Sequence, residues 1–86
     1  MKILWTKHAK ERQKEWQKKL GISRKEVEQV LRNPEQIVEA EHDVLIAQSK
    51  RQNGIIRIIF KEKENIRKIL TLYWTSKVLK YWKEEK

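Results

Sequence analysis

The sequence predicts an α+β domain: two N-terminal helices packed on one face of an antiparallel sheet, with a short helix at the C-terminal end. Three observations predict it. The hydrophobic period changes from helical spacing to two-residue alternation at Asn33-Pro34. Two helix signatures with caps precede that point, and an Asn53-Gly54 pair between two β-rich runs follows it.

The elements follow in order. Ile3-Leu4-Trp5 is long enough for a short edge strand. Thr6 is placed to cap a helix from Lys7 to about Leu20, with Ala9, Trp16 and Leu20 close to one face. Gly21 is the expected left-handed stop. Ser23 and Glu26 then fit a capping box, with Ile22 and Val27 in the two positions of a hydrophobic staple. Val27, Val30 and Leu31 supply the apolar stripe of this second helix, and Pro34 cannot continue it. Ile37-Val38 and the run from Val44 to Ala47 read as strands around a polar Glu41-His42-Asp43 turn. Across the Asn53-Gly54 turn come Ile55 to Phe60, then a polar turn at Glu62-Lys63-Glu64-Asn65, then Ile66 to Trp74. Ser76 is placed to cap a last helix that docks through Val78, Leu79 and Trp82 and leaves Lys77, Lys80 and Lys83 in water.

Composition bounds the chemistry. A chain of 86 residues makes one domain with a thin core, since roughly 60 to 65% of the unfolded surface is buried at this size. The chain has no Cys, which removes disulfides, thiolate catalysis and thiolate metal sites. The histidines are His8 and His42 and the lone aspartate is Asp43, so no three-residue metal site is expected and no cofactor is implied. Ser49 and Ser76 lack the setting of a nucleophilic serine. No apolar run approaches the roughly 18 to 20 residues of a spanning helix, and no signal-peptide pattern opens the chain, so a cytoplasmic protein without membrane contact is expected.

The balance of 21 Lys+Arg against 12 Asp+Glu, a net charge of +9, points to a polyanionic partner. Period-two alternation places Ile56, Ile58 and Phe60 on one side of the fourth strand and Ile55, Arg57 and Ile59 on the other. In the last strand Leu70, Leu72 and Trp74 share one side, and Ile69, Thr71 and Tyr73 the other. With the larger apolar triplets facing the helices, Arg57, Thr71 and Tyr73 project from the free face, with Lys50 and Arg51 at its rim. A cationic face carrying a tyrosine can hold a phosphate backbone and stack a base. The alternative is that Arg57 only interrupts an apolar strand and that Tyr73 packs under the C-terminal helix. One reaction class needs no more apparatus than this: RNA cleavage by its own 2′-hydroxyl, which asks for a base, an acid and cations.

The order of elements, together with Thr6-x-His8-Ala9-x-x-Arg12, Gly21-Ile22-Ser23, Glu26-Val27, Val30-Leu31 and Asn33-Pro34, resembles the RelE/ParE toxin superfamily. Within it, the chain is most similar to small domains that open with a His-Ala-x-x-Arg helix and to BrnT-like toxins. The resemblance spans about Leu4 to Trp74. It implies a βααββββ fold and, for many members, a toxin that cleaves messenger RNA, often on the ribosome, and is held inactive by an antitoxin protein. Related members act on DNA gyrase instead. The positions that can play the family's active-site parts are Arg51, Arg57, Tyr73 and Lys77.

The leading expectation is therefore a metal-independent endoribonuclease of the toxin-antitoxin type, monomeric or weakly dimeric when alone. Arg57 and Arg51 would clamp phosphate, Tyr73 would stack or move a proton, and Lys50 and Lys77 would add positive charge. His8 lies in the first turn of its helix, where the dipole disfavours the protonated form, and it can serve as a neutral base or hydrogen-bond the sheet. Arg12, one turn on, is a packing or ion-pair residue with nucleic acid as its other use, and His42 is expected in solvent. Lys86 is expected to be inert and serves as the control position. Two other classes stay open: a noncatalytic nucleic-acid-binding module on the same face, and a basic interaction protein for an acidic partner.

Overall fold

Lys2–Trp5 forms β1, and Thr6 then turns the chain into α1, Lys7–Leu20. Thr6 does two things at once. Its hydroxyl oxygen accepts from the Ala9 N–H at 3.1 Å, and its O–H donates to the Ile69 carbonyl at 2.8 Å, so the cap also ties the helix to the sheet. We expect Thr6→Ala to cost about 1 to 2 kcal/mol, read as a lower midpoint in denaturant titration. Gly21 ends α1 at φ 70°, the left-handed conformation that the sequence predicts there. The computed structural model describes residues 1–84; the control position Lys86 lies outside them.

α2, Arg24–Arg32, starts at Ser23, whose hydroxyl accepts from the Glu26 N–H at 3.1 Å. The reciprocal half of the capping box is not made. The Glu26 carboxylate turns away to accept from Arg51 Nε at 2.5 Å, because a charge-assisted bond outweighs one to a neutral backbone donor. Gln13, 2% exposed in the middle of α1, donates its side-chain amide to the Ile22 carbonyl at 2.9 Å and fixes the loop between the helices.

The sheet contains β2, Gln36–Glu39; β3, Val44–Arg51; β4, Gly54–Lys63; and β5, Ile66–Thr75. Its order is β1-β5-β4-β3-β2. All neighbours are antiparallel except β1, which runs parallel to β5, so the sheet is mixed where a wholly antiparallel one was expected. The reason is the αα-hairpin, which returns the chain to the opposite edge of the sheet. The core lies between helices and sheet, where Ala9, Ile22, Val27 and Leu31 meet Ala47, Ile56, Ile58, Phe60, Ile69 and Leu72.

The expected face assignment holds for Leu72 and Trp74 but not for Leu70. Ile59 pairs with Thr71 while Phe60 pairs with Ile69, so Leu70 is an extra residue in a bulge and Ile69 takes its place in the core. The two hairpins also differ in detail from the sequence reading. The β3–β4 turn is Gln52-Asn53, with Gln52 at φ 54°, and Gly54 is already the first residue of β4, paired with Arg51. In the β4–β5 turn, Glu64 and Asn65 both have positive φ, as a two-residue hairpin loop requires.

α3, Val78–Tyr81, is a single turn. Ser76 does not cap it; the N-cap is Lys77, without a side-chain bond. Leu79 is 94% exposed and does not dock, and the docking role falls to Tyr81 and Trp82. One helical turn has no periodicity, so spacing could not tell Leu79 from Tyr81. None of the described helices is long and apolar enough to cross a membrane.

Candidate nucleic-acid interface

The face of the sheet away from α1 and α2 is organised around Arg57. Cross-strand register sets Gln48, Arg57 and Tyr73 side by side on β3, β4 and β5. Arg57 Nε donates to the Gln48 side-chain oxygen at 2.9 Å, and Nη1 donates to the Tyr73 hydroxyl at 2.5 Å. The Tyr81 ring lies over the guanidinium, 4.0 Å from ring centroid to Cζ, and the Tyr73 ring is 5.7 Å away. The two rings meet edge to face at 6.4 Å. Arg57 is only 7% exposed. The face is therefore not open at this end, and Tyr73 does pack beneath the C-terminal segment.

Two glutamines hold that segment down. Gln48, fully buried, donates to the Tyr81 carbonyl at 3.0 Å and to the Gln36 side-chain oxygen at 2.8 Å. Gln36 in turn donates to the Lys83 carbonyl at 2.5 Å and accepts from the Lys83 N–H at 3.1 Å, as a neighbouring strand would. Around this centre stand Lys50, whose Nζ lies 4.9 Å from the Trp82 ring centroid, and Lys80, 5.3 Å from that of Tyr81. Burial alone would raise the Tyr81 phenol; Lys80, the Tyr73 hydroxyl and Arg57 together bring it below the ordinary tyrosine value.

The charge of Arg57 meets two aromatic faces, an amide oxygen and a phenol. Among the described residues the ion pairs are Arg12–Glu15, Arg51–Glu26 and Arg67–Glu62, so no carboxylate neutralises Arg57. A cation removed from water without a counter-charge is a strong local attractor for an anion. Its Nη2 edge is the part of the guanidinium not engaged in the two bonds above.

The other sequence-predicted residues are distributed as follows. Lys50 lies on this face beside Trp82, and Lys77 is exposed at the start of α3. Arg51 does not join them. It alternates to the helix side, where it holds Glu26 and donates from Nη2 to the Leu20 carbonyl at 3.0 Å, locking the αα-hairpin to the sheet. The phosphate-clamp role expected for it is corrected accordingly: its donors are directed at the protein. His8 and Arg12 lie on α1, across the sheet from Arg57, and both are exposed. The hydrogen bond to the sheet expected of His8 is made by Thr6 instead, and Arg12 pairs with Glu15 at 3.0 Å. His42 is exposed in its turn at φ 58°. Among the described residues no three His, Asp or Glu side chains are grouped to hold a metal ion.

Sequence reasoning missed Gln36, Gln48, Lys80 and Tyr81. The alternation of β3 did place Gln48 on the same side as Lys50, and a glutamine interrupting an apolar run was the available signal.

No curated protein and no solved structure matches the chain. One family does, over residues 5–74, from Trp5 at the end of β1 to Trp74 in β5. That span takes in both helices and the four antiparallel strands and stops short of Tyr81. The chain belongs to the family described as Domain of unknown function (DUF4258).

Proposed function

We propose that this domain binds RNA on the Arg57 face and cleaves it without a metal, as a RelE/ParE-like toxin held in check by a partner antitoxin. The observation that carries the reading is the unneutralised guanidinium of Arg57, set against two tyrosines, with Lys50 and Lys80 at the aromatic rings of the segment that covers it. In the reaction the RNA supplies the nucleophile. The 2′-oxygen forms a bond to phosphorus as its proton passes to a base, and the bond to the 5′-oxygen breaks as that oxygen takes up a proton. The products are a 2′,3′-cyclic phosphate and a 5′-hydroxyl. Tyr81, with its lowered phenol, is the candidate base that takes the 2′-proton; Tyr73, hydrogen-bonded to Arg57, is the candidate acid that gives its own proton to the 5′-oxygen, and a proton passing from Tyr81 to Tyr73 then resets the pair. Arg57 and Lys80 offset the charge that builds on the phosphorane.

A noncatalytic RNA-binding module on the same face is the second reading. It is favoured by the 7% exposure of Arg57, since Lys50, Trp82 and Lys80 at the surface suffice to hold a phosphate and stack a base. End-group analysis of a single-stranded RNA separates the two. Cleavage leaves 2′,3′-cyclic phosphate ends, whereas a binder protects the strand intact. Cleavage should persist in excess EDTA when ribosomes, which need magnesium, are left out. Its rate should rise with pH and level off below the ordinary tyrosine range, because deprotonated Tyr81 is the active form. A rate that vanishes with EDTA sinks the mechanism.

A further inference from the structure

The half of the free face not covered by the C-terminal segment has a different chemistry. Register sets Leu4, Lys68 and Lys61 in one row across β1, β5 and β4, and Lys2, Ile66 and Lys63 in the next. Leu4, Lys61, Lys63, Ile66 and Lys68 line one shallow groove of about 450 Å³, with Glu64 of the turn at its end. Leu4 is 41% exposed although it is a strand residue in a chain this short of core. Lys61 and Lys68 are directly opposed across the β4–β5 ladder, where like charges destabilise. None of the ion pairs among the described residues involves these lysines; Glu62, the nearest carboxylate in β4, alternates to the other face and pairs with Arg67.

We infer that this groove docks an acidic amphipathic helix of a partner protein, with leucine-type side chains on Leu4 and Ile66 and carboxylates on Lys61, Lys63 and Lys68 and on Lys2 beside them. Charge complementarity selects the sign of the partner. The aliphatic floor selects its class: single-stranded RNA is recognised by stacking on aromatic rings and guanidinium planes, and this groove offers neither, whereas an apolar helix stripe fits it. The inference rests on the reading that a partner holds the protein in check, and it adds where that partner sits and by what contacts. A helix bound here lies beside the Arg57 cluster on the same face, and so can close the approach to it.

The test uses the full chain and a synthetic helix carrying leucines at i, i+3, i+4 and i+7 flanked by glutamates, compared with a permutation that spreads the leucines around the helix. Amide NMR shifts should move at Leu4, Ile66 and Lys68. Affinity should fall about tenfold for the permuted peptide, for Leu4→Ser and for the Lys61→Glu/Lys68→Glu double variant, the worth of one interface anchor. Lys68→Glu alone should raise the Tm, because it turns a like-charge pair into an opposite one. Equal affinity for the permuted peptide, shifts confined to other residues, or no binding overturns the proposal. RNA cleavage is measured on the same variants and should stay at the parental rate. Peptide binding in a protein that never cuts RNA supports the groove and removes only the catalytic reading; cleavage without peptide binding does the reverse.

Discussion

If the face cleaves RNA as proposed, Arg57→Ala should lower the rate about a hundredfold, the usual consequence of removing one donor aimed at developing negative charge. The change also leaves the buried Gln48 oxygen and the Tyr73 hydroxyl without their donor, which costs about 1 to 3 kcal/mol of stability. Rate and folding are therefore read together, with circular dichroism and a melting curve beside the cleavage assay. Arg57→Lys keeps the charge but cannot reach Gln48 and Tyr73 at once, so an intermediate rate is expected. Tyr81→Phe keeps the ring over Arg57 and removes the phenol. It should abolish the pH dependence while RNA affinity survives, and Tyr73→Phe should lower the rate without changing that pH profile. If folded Arg57→Ala and Tyr81→Phe both cut at the parental rate, this site is wrong and His8 and Arg12 on the opposite face become the place to look.

The largest effect on stability is expected at Gly54. A Cβ there would come within 2.2 Å of the Thr75 carbonyl oxygen and 2.6 Å of the Trp74 ring. The Trp74 indole is itself held, donating to the Arg51 carbonyl at 3.0 Å, so neither neighbour can move without breaking the end of the β3–β4–β5 ladder. Gly54→Ala should therefore cost about 3 kcal/mol or more, a fall in Tm on the order of 15 °C for a domain of this size. Gly21→Ala provides the contrast. Nothing stands within 4 Å of its Cβ position, and the penalty there comes only from the left-handed backbone, about 1 to 2 kcal/mol. Equal losses at the two glycines would contradict the steric account of Gly54.

What could be read from the chain alone was local. Thr6, Gly21 and Ser23 act within a few residues of themselves, and each stands where its chemistry put it. Alternation along β4 correctly separated Ile56, Ile58 and Phe60 from Arg57. What could not be read depends on partners distant in sequence. The bulge at Leu70 is a property of two strands, and nothing in β5 by itself announces it. Arg51 looked free until Glu26, 25 residues earlier, was brought beneath it. Tyr81 entered the site through the carbonyl contacts of Gln48 and Gln36, which sit 33 and 47 residues from their partners in the C-terminal segment.

The parallel pairing of β1 with β5 has a consequence for how the protein comes into being. The ledge on which β1 and both helices rest is made of Ile56, Ile58, Phe60, Ile69 and Leu72, all encoded in the second half of the chain. Thr6 waits for Ile69, and Arg67 donates to the Leu31 carbonyl at the end of α2. During translation β1 and both helices thus emerge before the strands they pack on, and their apolar stripe stays unmatched until β5 has been made. Packing of the two helices is therefore expected to follow the synthesis of β5 rather than precede it.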